Sequence, residues 1–268
     1  MILAEVLRAA TDYLERKGVD SPRVDAELLL AHALGLTRIE LYTQHDRRLA
    51  DAERAAARRL VERRGRREPL AYILGEWGFR RLALRTDARA LVPRPETEIV
   101  AERALALIEG VAAPSVLDVG TGSGALALAI KDERPDATVV ATDSSDDAIA
   151  LARENAAALG LEIETRMTDL LDGLEGPFDL FVSNLPYVLP SEGLQAELEY
   201  EPREALVDRG QTLALVAAAR DVLDGWLVLE VHEQNAREVA AALEGYADVA
   251  ITRDLAGRER VVEGRWTQ

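Results

Sequence analysis

Apolar positions recur at helical spacing through the first part of the chain. Leu3, Val6, Leu7, Ala10, Tyr13 and Leu14 follow a period near 3.6, and Gly18 ends the run. Ser21-Pro22 offers an N-cap with proline in the first turn, and Leu28, Leu29, Leu30, Ala31 and Leu34 follow before Gly35. A third pattern, rich in Ala and Arg, runs from Asp51 to about Arg64. These runs predict a small helical bundle over residues 1–74. Over 75–92 the pattern changes to short alternating stretches punctuated by Gly75, Gly78 and Thr86-Asp87, which predicts a β-hairpin linker. Pro93-Arg94-Pro95-Glu96 then opens a helix running to about Gly110, with the second proline suited to its first turn.

From Pro114 onward apolar strands alternate with helical segments. Val116–Val119 reads as a buried strand, followed by a Gly-rich turn and a helix over Ala125–Asp132. Thr138–Thr142 is a strand and Asp146–Leu159 a helix stopped by Gly160; Leu161–Arg166, Phe178–Ser183 and Trp226–Val231 are further strands. A helix around Asn235–Leu243 precedes runs at Asp248–Arg253 and Glu259–Gly264, which have no helix-length segment between them and should pair antiparallel. Strand–helix alternation predicts an α/β fold, a mostly parallel sheet with an antiparallel last strand, over residues 93–268.

Charge divides along the same line. The chain has 268 residues with 32 Lys+Arg, 48 Asp+Glu and a net charge of −16. Residues 1–85 hold 17 basic and 13 acidic side chains, a net of +4; the remainder holds 15 and 35, a net of −20. An acidic main domain argues against general duplex binding, which needs a basic surface to neutralise phosphates. Cysteine is absent, which removes disulfides, thiolate metal sites and cysteine nucleophiles. No stretch approaches the ~18 apolar residues of a membrane span, and Met1-Ile2-Leu3-Ala4-Glu5 lacks a basic signal-peptide start. A cytoplasmic location without membrane binding is expected. Lysine occurs only at Lys17 and Lys131. The arginines Arg54, Arg58, Arg59, Arg63, Arg64, Arg66 and Arg67 form a run with helical spacing, read either as a docking face for an acidic partner or as a solvated helix face.

The first chemical signal is Asp118-Val119-Gly120-Thr121-Gly122-Ser123-Gly124. A glycine turn between strand and helix lets a ligand approach the backbone closely, at a topological switch point. The spacing is Gly-x-Gly-x-Gly, not that of dinucleotide binders, and no Gly-Lys-Ser/Thr makes it a P-loop. Asp143 stands at the end of the next strand, 19 residues past Gly124, where a carboxylate can accept both hydroxyls of a ribose. Over residues 114–265 the arrangement resembles the class I S-adenosylmethionine-dependent methyltransferases; on this motif alone a NAD-binding Rossmann domain stays open. The resemblance implies that Gly120, Thr121, Gly122, Ser123 and Gly124 cradle the cofactor. Asp118 would order the loop and approach the methionine amino group, or cap backbone N–H groups, or both. Asp169 and Leu170 would contact the adenine, Asp169 accepting from its amine and Leu170 packing on the ring; an exposed turn aspartate is the alternative.

The second signal is Asn184-Leu185-Pro186-Tyr187, which resembles the Asn/Asp-Pro-Pro-Tyr motif of methyltransferases acting on planar, amide-like nitrogens. Such a nitrogen is a poor nucleophile because its lone pair is delocalised. Acceptors aimed at its N–H groups orient it and favour charge developing on nitrogen. Asn184 Oδ1 and the Leu185 carbonyl are the acceptors implied, Tyr187 would stack on the target, and Asn184 would also border the cofactor. Leu185 replaces the commoner proline and gives up its fixed φ. Asn-Leu-Pro-Tyr also occurs in rRNA adenine dimethyltransferases, so adenine stays open on the tetrapeptide alone.

Outside this region, Glu68-Pro69-Leu70-Ala71-Tyr72-Ile73-Leu74-Gly75-Glu76-Trp77 and Leu91-Val92-Pro93-Arg94-Pro95-Glu96-Thr97-Glu98 closely resemble the release-factor glutamine methyltransferases, the HemK/PrmC family. Tyr200–Leu206 and Asp254–Arg260 fit the same family. The resemblance implies a Rossmann-like class I methyltransferase sheet preceded by a helical substrate-docking bundle. It also implies transfer of a methyl group from S-adenosylmethionine to the side-chain amide nitrogen, N5, of the glutamine in a Gly-Gly-Gln loop. The partners implied are peptide chain release factors, met by a monomer without stable nucleic-acid binding. The competing assignments are a nucleic-acid N6-adenine methyltransferase and a methyltransferase of a ribosomal-protein glutamine. Val207-Asp208-Arg209-Gly210 departs from the family's Gly-rich turn, and His232 stands where a small residue is more familiar. His232 reads as a polar residue before a helix rather than a base, since the methylated amide becomes acidic and can release its proton to water.

Overall fold

Contacts within a computed structural model, which describes residues 1–187 and 195–267, divide the chain into two compact units. The first comprises Met1–Gly75 and a short segment ending at Tyr200; the second holds the rest. The helical unit contains α1 (Leu3–Arg16), α2 (Pro22–Leu34), α3 (Arg38–Thr43), α4 (Asp51–Gly65) and α5 (Leu70–Leu74). Its core is Leu3, Leu7 and Leu14 of α1 against Leu29 and Leu30 of α2 and Ala57 and Val61 of α4. Ser21 occupies the N-cap of α2 without making a side-chain cap bond, so Pro22 carries that start. Helix α3 was not evident from periodicity because it is six residues long. It is held by a capping box in which Glu40 Oε2 accepts from Thr37 N at 2.7 Å and Thr37 Oγ1 accepts from Glu40 N at 3.3 Å.

Most of the arginine run is engaged inside this unit. Arg54 pairs with Asp51, Arg58 with Glu62, Arg63 with Glu68 at 2.5 Å, and Arg64 with Asp25 at 2.7 Å; Arg64 and Arg67 both reach Glu197. The face is therefore a lattice of ion pairs more than a block of positive charge.

In the second unit β1 (Glu76–Phe79) and β2 (Leu82–Arg85) form the expected antiparallel hairpin. Phe79, Leu82 and Leu84 are buried in the core cluster that also holds Val100 and Ala104 of α6 (Pro95–Leu107). The α/β region follows in order: β3 (Ser115–Val119), α7 (Ala125–Glu133), β4 (Thr138–Asp143), α8 (Asp146–Leu159), β5 (Glu164–Met167), β6 (Phe178–Ser183), α9 (Gln211–Ala219), β7 (Leu223–Glu230), α10 (Ala236–Ala242), β8 (Ala247–Arg253) and β9 (Glu259–Trp266). The sheet order is β5-β4-β3-β6-β7-β9-β8, parallel from β5 through β7, with β9 antiparallel to both its neighbours. Strand residues alternate between two cores. Val116, Leu180, Val182 and Val228 join α6 and α7 on one face; Leu117, Phe181, Leu227 and Leu229 join α9 and α10 on the other. Both faces are thus covered, as a parallel sheet requires. Helix α9 escaped the sequence reading because Thr-Leu-Ala-Leu-Val-Ala-Ala-Ala is apolar on every side and shows no period. Among the described residues no helix is long and apolar enough to cross a membrane.

One buried carboxylate organises the helical unit. Glu27, with 2% of its side chain exposed, accepts from Arg23 at 2.5 Å, from Arg38 at 2.6 Å and from the Tyr42 hydroxyl. Burial alone would raise its pKa, but the bonds from Tyr42, Arg23 and Arg38 outweigh it and bring the group down to about 2. Glu27→Gln should therefore destabilise this unit by about 2 kcal/mol at neutral pH. A depressed carboxylate stabilises fully above its ordinary value of 4.5 and loses that contribution as pH falls towards about 2. Urea titrations followed by circular dichroism should show a smaller wild-type-to-variant difference at pH 3 than at pH 7; equal differences contradict this.

Candidate active site

The parallel register aligns the ends of three strands. Val119 lies opposite Ser183, and Ser183 opposite Leu229, so the residues that follow emerge side by side at the carboxyl edge of β3, β6 and β7. The Ser183 hydroxyl donates to the Val119 carbonyl at 2.6 Å and pins the first pair. At this edge a cavity is lined by the loop 120–123, by Asp143, by Asp169 and Leu170, by Asn184, Leu185 and Pro186, and by Leu91–Arg94. Ligands of open α/β sheets bind at this kind of crevice, where the strand order turns back.

Asp118 is completely buried at the foot of the loop. Its Oδ2 accepts from the Thr121 hydroxyl at 2.6 Å and from the Ala127 N–H at 3.1 Å, tying strand, loop and the start of α7 together. Its Oδ1 has no partner among the described residues. Burial pushes the carboxyl up to about 7, against the lowering effect of the two bonds. Asp118 is among the residues bordering the cavity, and a buried oxygen without a partner is matched to a cationic donor.

Four N–H groups of the loop are occupied. Gly120 and Thr121 N–H donate to the Thr142 carbonyl, Gly122 N–H to Asp143 Oδ2 at 2.9 Å, and Gly124 N–H to the Thr121 carbonyl. These four bonds tie the turn to β4 and to itself. Gly120, Gly122 and Gly124 all have positive φ, of 73°, 56° and 86°. The Thr121 side chain turns to Asp118, and Ser123 presents its carbonyl to Asn155 Nδ2 at 2.9 Å. Asn155, buried on α8, also exchanges two bonds with the backbone of Arg85, so it couples the hairpin to the loop. Asp143 accepts from Gly122 and Ser145 N–H and is raised by burial, with lone pairs still available to the cavity. Asp169 is exposed and Leu170 half-buried with φ 46°; both line the cavity.

Asn184 Nδ2 donates to the Thr97 hydroxyl at 3.0 Å, and its oxygen has no partner among the described residues. Leu185 is buried, its Cδ2 only 2.9 Å from where a Cβ on Gly120 would stand. Tyr187 is not brought to the cavity wall with its three neighbours. Its hydroxyl donates to Glu230 Oε1 at 3.2 Å, and its ring lies 6.0 Å from that of His232. His232 Nδ1 accepts from Gln234 N–H at 3.3 Å, so it terminates backbone before α10 and does not reach the cavity.

Three polar residues were not singled out from sequence: Thr97, which lines the cavity, and Glu201 and Glu230 behind it. Glu201, buried and raised by that burial, accepts from Val92 N–H at 3.0 Å and from Arg94 at 2.5 Å, so it holds the Leu91–Arg94 loop. Glu201 and Thr97 lay inside quoted stretches; the available signal was a charged or polar residue within an otherwise apolar pattern.

Residues 5–75 match the family model of the PrmC N-terminal domain, and residues 99–246 that of the methyltransferase small domain. The release factor glutamine methyltransferase of Deinococcus radiodurans is 45% identical, covering 99% of each chain. The chain belongs to the release factor glutamine methyltransferase family. That of Rhodopirellula baltica is 39% identical over 96% of this chain and 94% of the relative. A methyltransferase from Pyrococcus furiosus shares the fold alone, with 17% identity, TM-score 0.51 and coverage of 69% of this chain and 89% of that one.

The methyl donor of this methyltransferase is S-adenosylmethionine. The residues present fit it: an orphaned buried carboxylate oxygen for an ammonium, a glycine turn with no Cβ, and a strand-end carboxylate for ribose hydroxyls. Gly120→Ala tests the turn. The new Cβ would crowd Leu185 and force a left-handed conformation costing about 1–2 kcal/mol. Calorimetry should show cofactor affinity at least about tenfold weaker, following that strain; unchanged affinity would remove the turn from the cofactor site.

Proposed function

We propose that this methyltransferase transfers a methyl group from S-adenosylmethionine to the side-chain amide nitrogen, N5, of the glutamine in the Gly-Gly-Gln motif of peptide chain release factors. The observation that carries the assignment of the acceptor site is the orientation of Asn184: its NH2 is committed to Thr97, so its oxygen is the atom left to receive an N–H at the cavity wall. S-adenosylmethionine supplies, when bound, a methyl group on a sulfonium sulfur, whose C–S bond breaks as the glutamine nitrogen forms the new N–C bond.

Everything else falls to the chain's own residues. Asn184 Oδ1 and the Leu185 carbonyl accept the two N–H bonds of the target and hold its nitrogen in line; both acceptors also stabilise positive charge developing there. Pro186 and buried Leu185 restrict the backbone that carries these acceptors. The second proton of the amide passes to water once the nitrogen carries the methyl, so no side-chain base is needed, in keeping with His232 being turned to backbone. Asp118 takes the methionine ammonium, Asp143 the ribose hydroxyls, and Asp169 and Leu170 the adenine. Tyr187, held off the cavity wall by Glu230, is given no contact with the target.

Action as a cytoplasmic monomer without stable nucleic-acid binding belongs to the same proposal, the last supported by the −20 charge of residues 86–268. Docking of the release factor on residues 1–74, with 75–92 as linker and 93–268 as catalytic domain, is also proposed. Ile39, 75% exposed, and Tyr42, 53% exposed, stand one turn apart on α3 and support it.

With labelled cofactor, a release factor should accept the methyl group and RNA should not; labelling of RNA alone would favour adenine methylation. Asn184→Ala should lower transfer at least about 10²-fold, the scale of a lost transition-state hydrogen bond, with cofactor affinity little changed. Mass spectrometry of the release-factor glutamine checks this, and near wild-type methylation contradicts it. Because Arg63 is already paired with Glu68, Arg59→Glu with Arg63→Glu should move the release-factor KM by less than about threefold across salt concentrations. A steep, salt-sensitive rise would place docking on the arginine run.

A further inference from the structure

Asn184 acts as an acceptor only if its amide stays one way round. A side-chain amide is nearly symmetric in shape, and the flipped form would present N–H groups to the N–H groups of the target glutamine. What fixes it lies outside the Asn-Leu-Pro-Tyr motif, in a chain of buried hydrogen bonds joining α6, β6 and β7. Asn184 Nδ2 donates to Thr97 Oγ1 at 3.0 Å; Thr97 Oγ1 donates to Glu230 Oε2 at 2.6 Å; the Tyr187 hydroxyl donates to Glu230 Oε1 at 3.2 Å. Thr97 is 4% and Glu230 2% exposed, so water does not substitute for these partners.

We propose that Thr97 and Glu230 are positioning residues that hold the Asn184 amide with its oxygen facing the target glutamine. The proposal rests on the acceptor role given to Asn184 above. In its ionised form Glu230, which burial raises to about 7, only accepts, and a threonine hydroxyl has one proton. Once Thr97 gives that proton to Glu230, its remaining capacity is to accept, and only the NH2 side of Asn184 can supply a donor. The direction of the whole chain is thus set by the carboxylate at its end. The same carboxylate takes the Tyr187 proton on its other oxygen, so one buried group orients both polar members of the motif.

A purely structural bond between α6 and β7 would also bury Thr97 and Glu230, so the test must separate orientation from folding. Thr97→Val preserves shape and removes the hydroxyl; Thr97→Ser preserves the hydroxyl and removes a methyl; Thr97→Ala is a second hydroxyl-free variant should the valine form not fold. With purified release factor, kcat for Thr97→Val or Thr97→Ala should fall about 10²-fold, the effect of misplacing a reacting group. Cofactor Kd and release-factor KM should stay within about twofold, a split that a loosened fold would not produce. Thr97→Ser should keep kcat within about threefold of wild type, since only the hydroxyl is needed. Near wild-type kcat in the hydroxyl-free variants, or serine no better than valine, overturns the proposal while the functional reading stands. Wild-type enzyme that leaves the release factor unmethylated overturns the functional reading, and this proposal with it.

Discussion

The register of three parallel strands is the constraint on which the site depends. Backbone bonds set Val119 beside Ser183 and Ser183 beside Leu229. The glycine turn, Asn184 and Glu230 therefore leave the sheet in a row. A slip of one residue would turn each strand's side chains to the opposite core and take this row apart. The two apolar cores resist such a slip, because every strand residue from Val116 to Val119 is buried on one face or the other or beneath the loop.

On that frame the polar groups work by burial. Asp118, Glu201 and Glu230 are each removed from water, each raised by that removal, and each aimed at a segment bordering the cavity: the glycine turn, the Leu91–Arg94 loop, and the Asn184–Tyr187 motif through Thr97 and Tyr187. A buried carboxylate is costly unless its lone pairs are filled. Glu201 and Glu230 have a donor on each oxygen within the protein, whereas Asp118 keeps one oxygen without one. That contrast separates groups satisfied within the protein from the one proposed to meet the cofactor. Methyl transfer to a delocalised nitrogen is a problem of placement more than of acid–base chemistry, and the protein answers it with fixed acceptors.

Much of this was legible along the chain. The alternation of strands and helices, the glycine turn, Asp143 and the hairpin all follow from local patterns that the fold preserves. The elements missed are those without a local period: α3 and α5 are too short, and α9 is apolar on all sides. The site was legible where one motif holds several of its residues and obscure where partners come from far apart. Thr97 and Glu230 lie 133 residues apart, and Val92 and Glu201 109 apart, so nothing in either neighbourhood announces the pair. The arginine run shows the reverse: conspicuous as sequence, it is largely matched by Asp51, Glu62, Glu68 and Glu197 once folded.

The central claim is that the carbonyl oxygen of Asn184, not its NH2, faces the glutamine to be methylated. A crystal structure of the enzyme with a release factor and the demethylated cofactor product tests it directly. Asn184 Oδ1 should lie within about 3.2 Å of the glutamine amide nitrogen, a normal hydrogen-bond reach, with Nδ2 still on the Thr97 hydroxyl. An Asn184 amide turned with Nδ2 towards the substrate, or a glutamine nitrogen held elsewhere in the cavity, would contradict it.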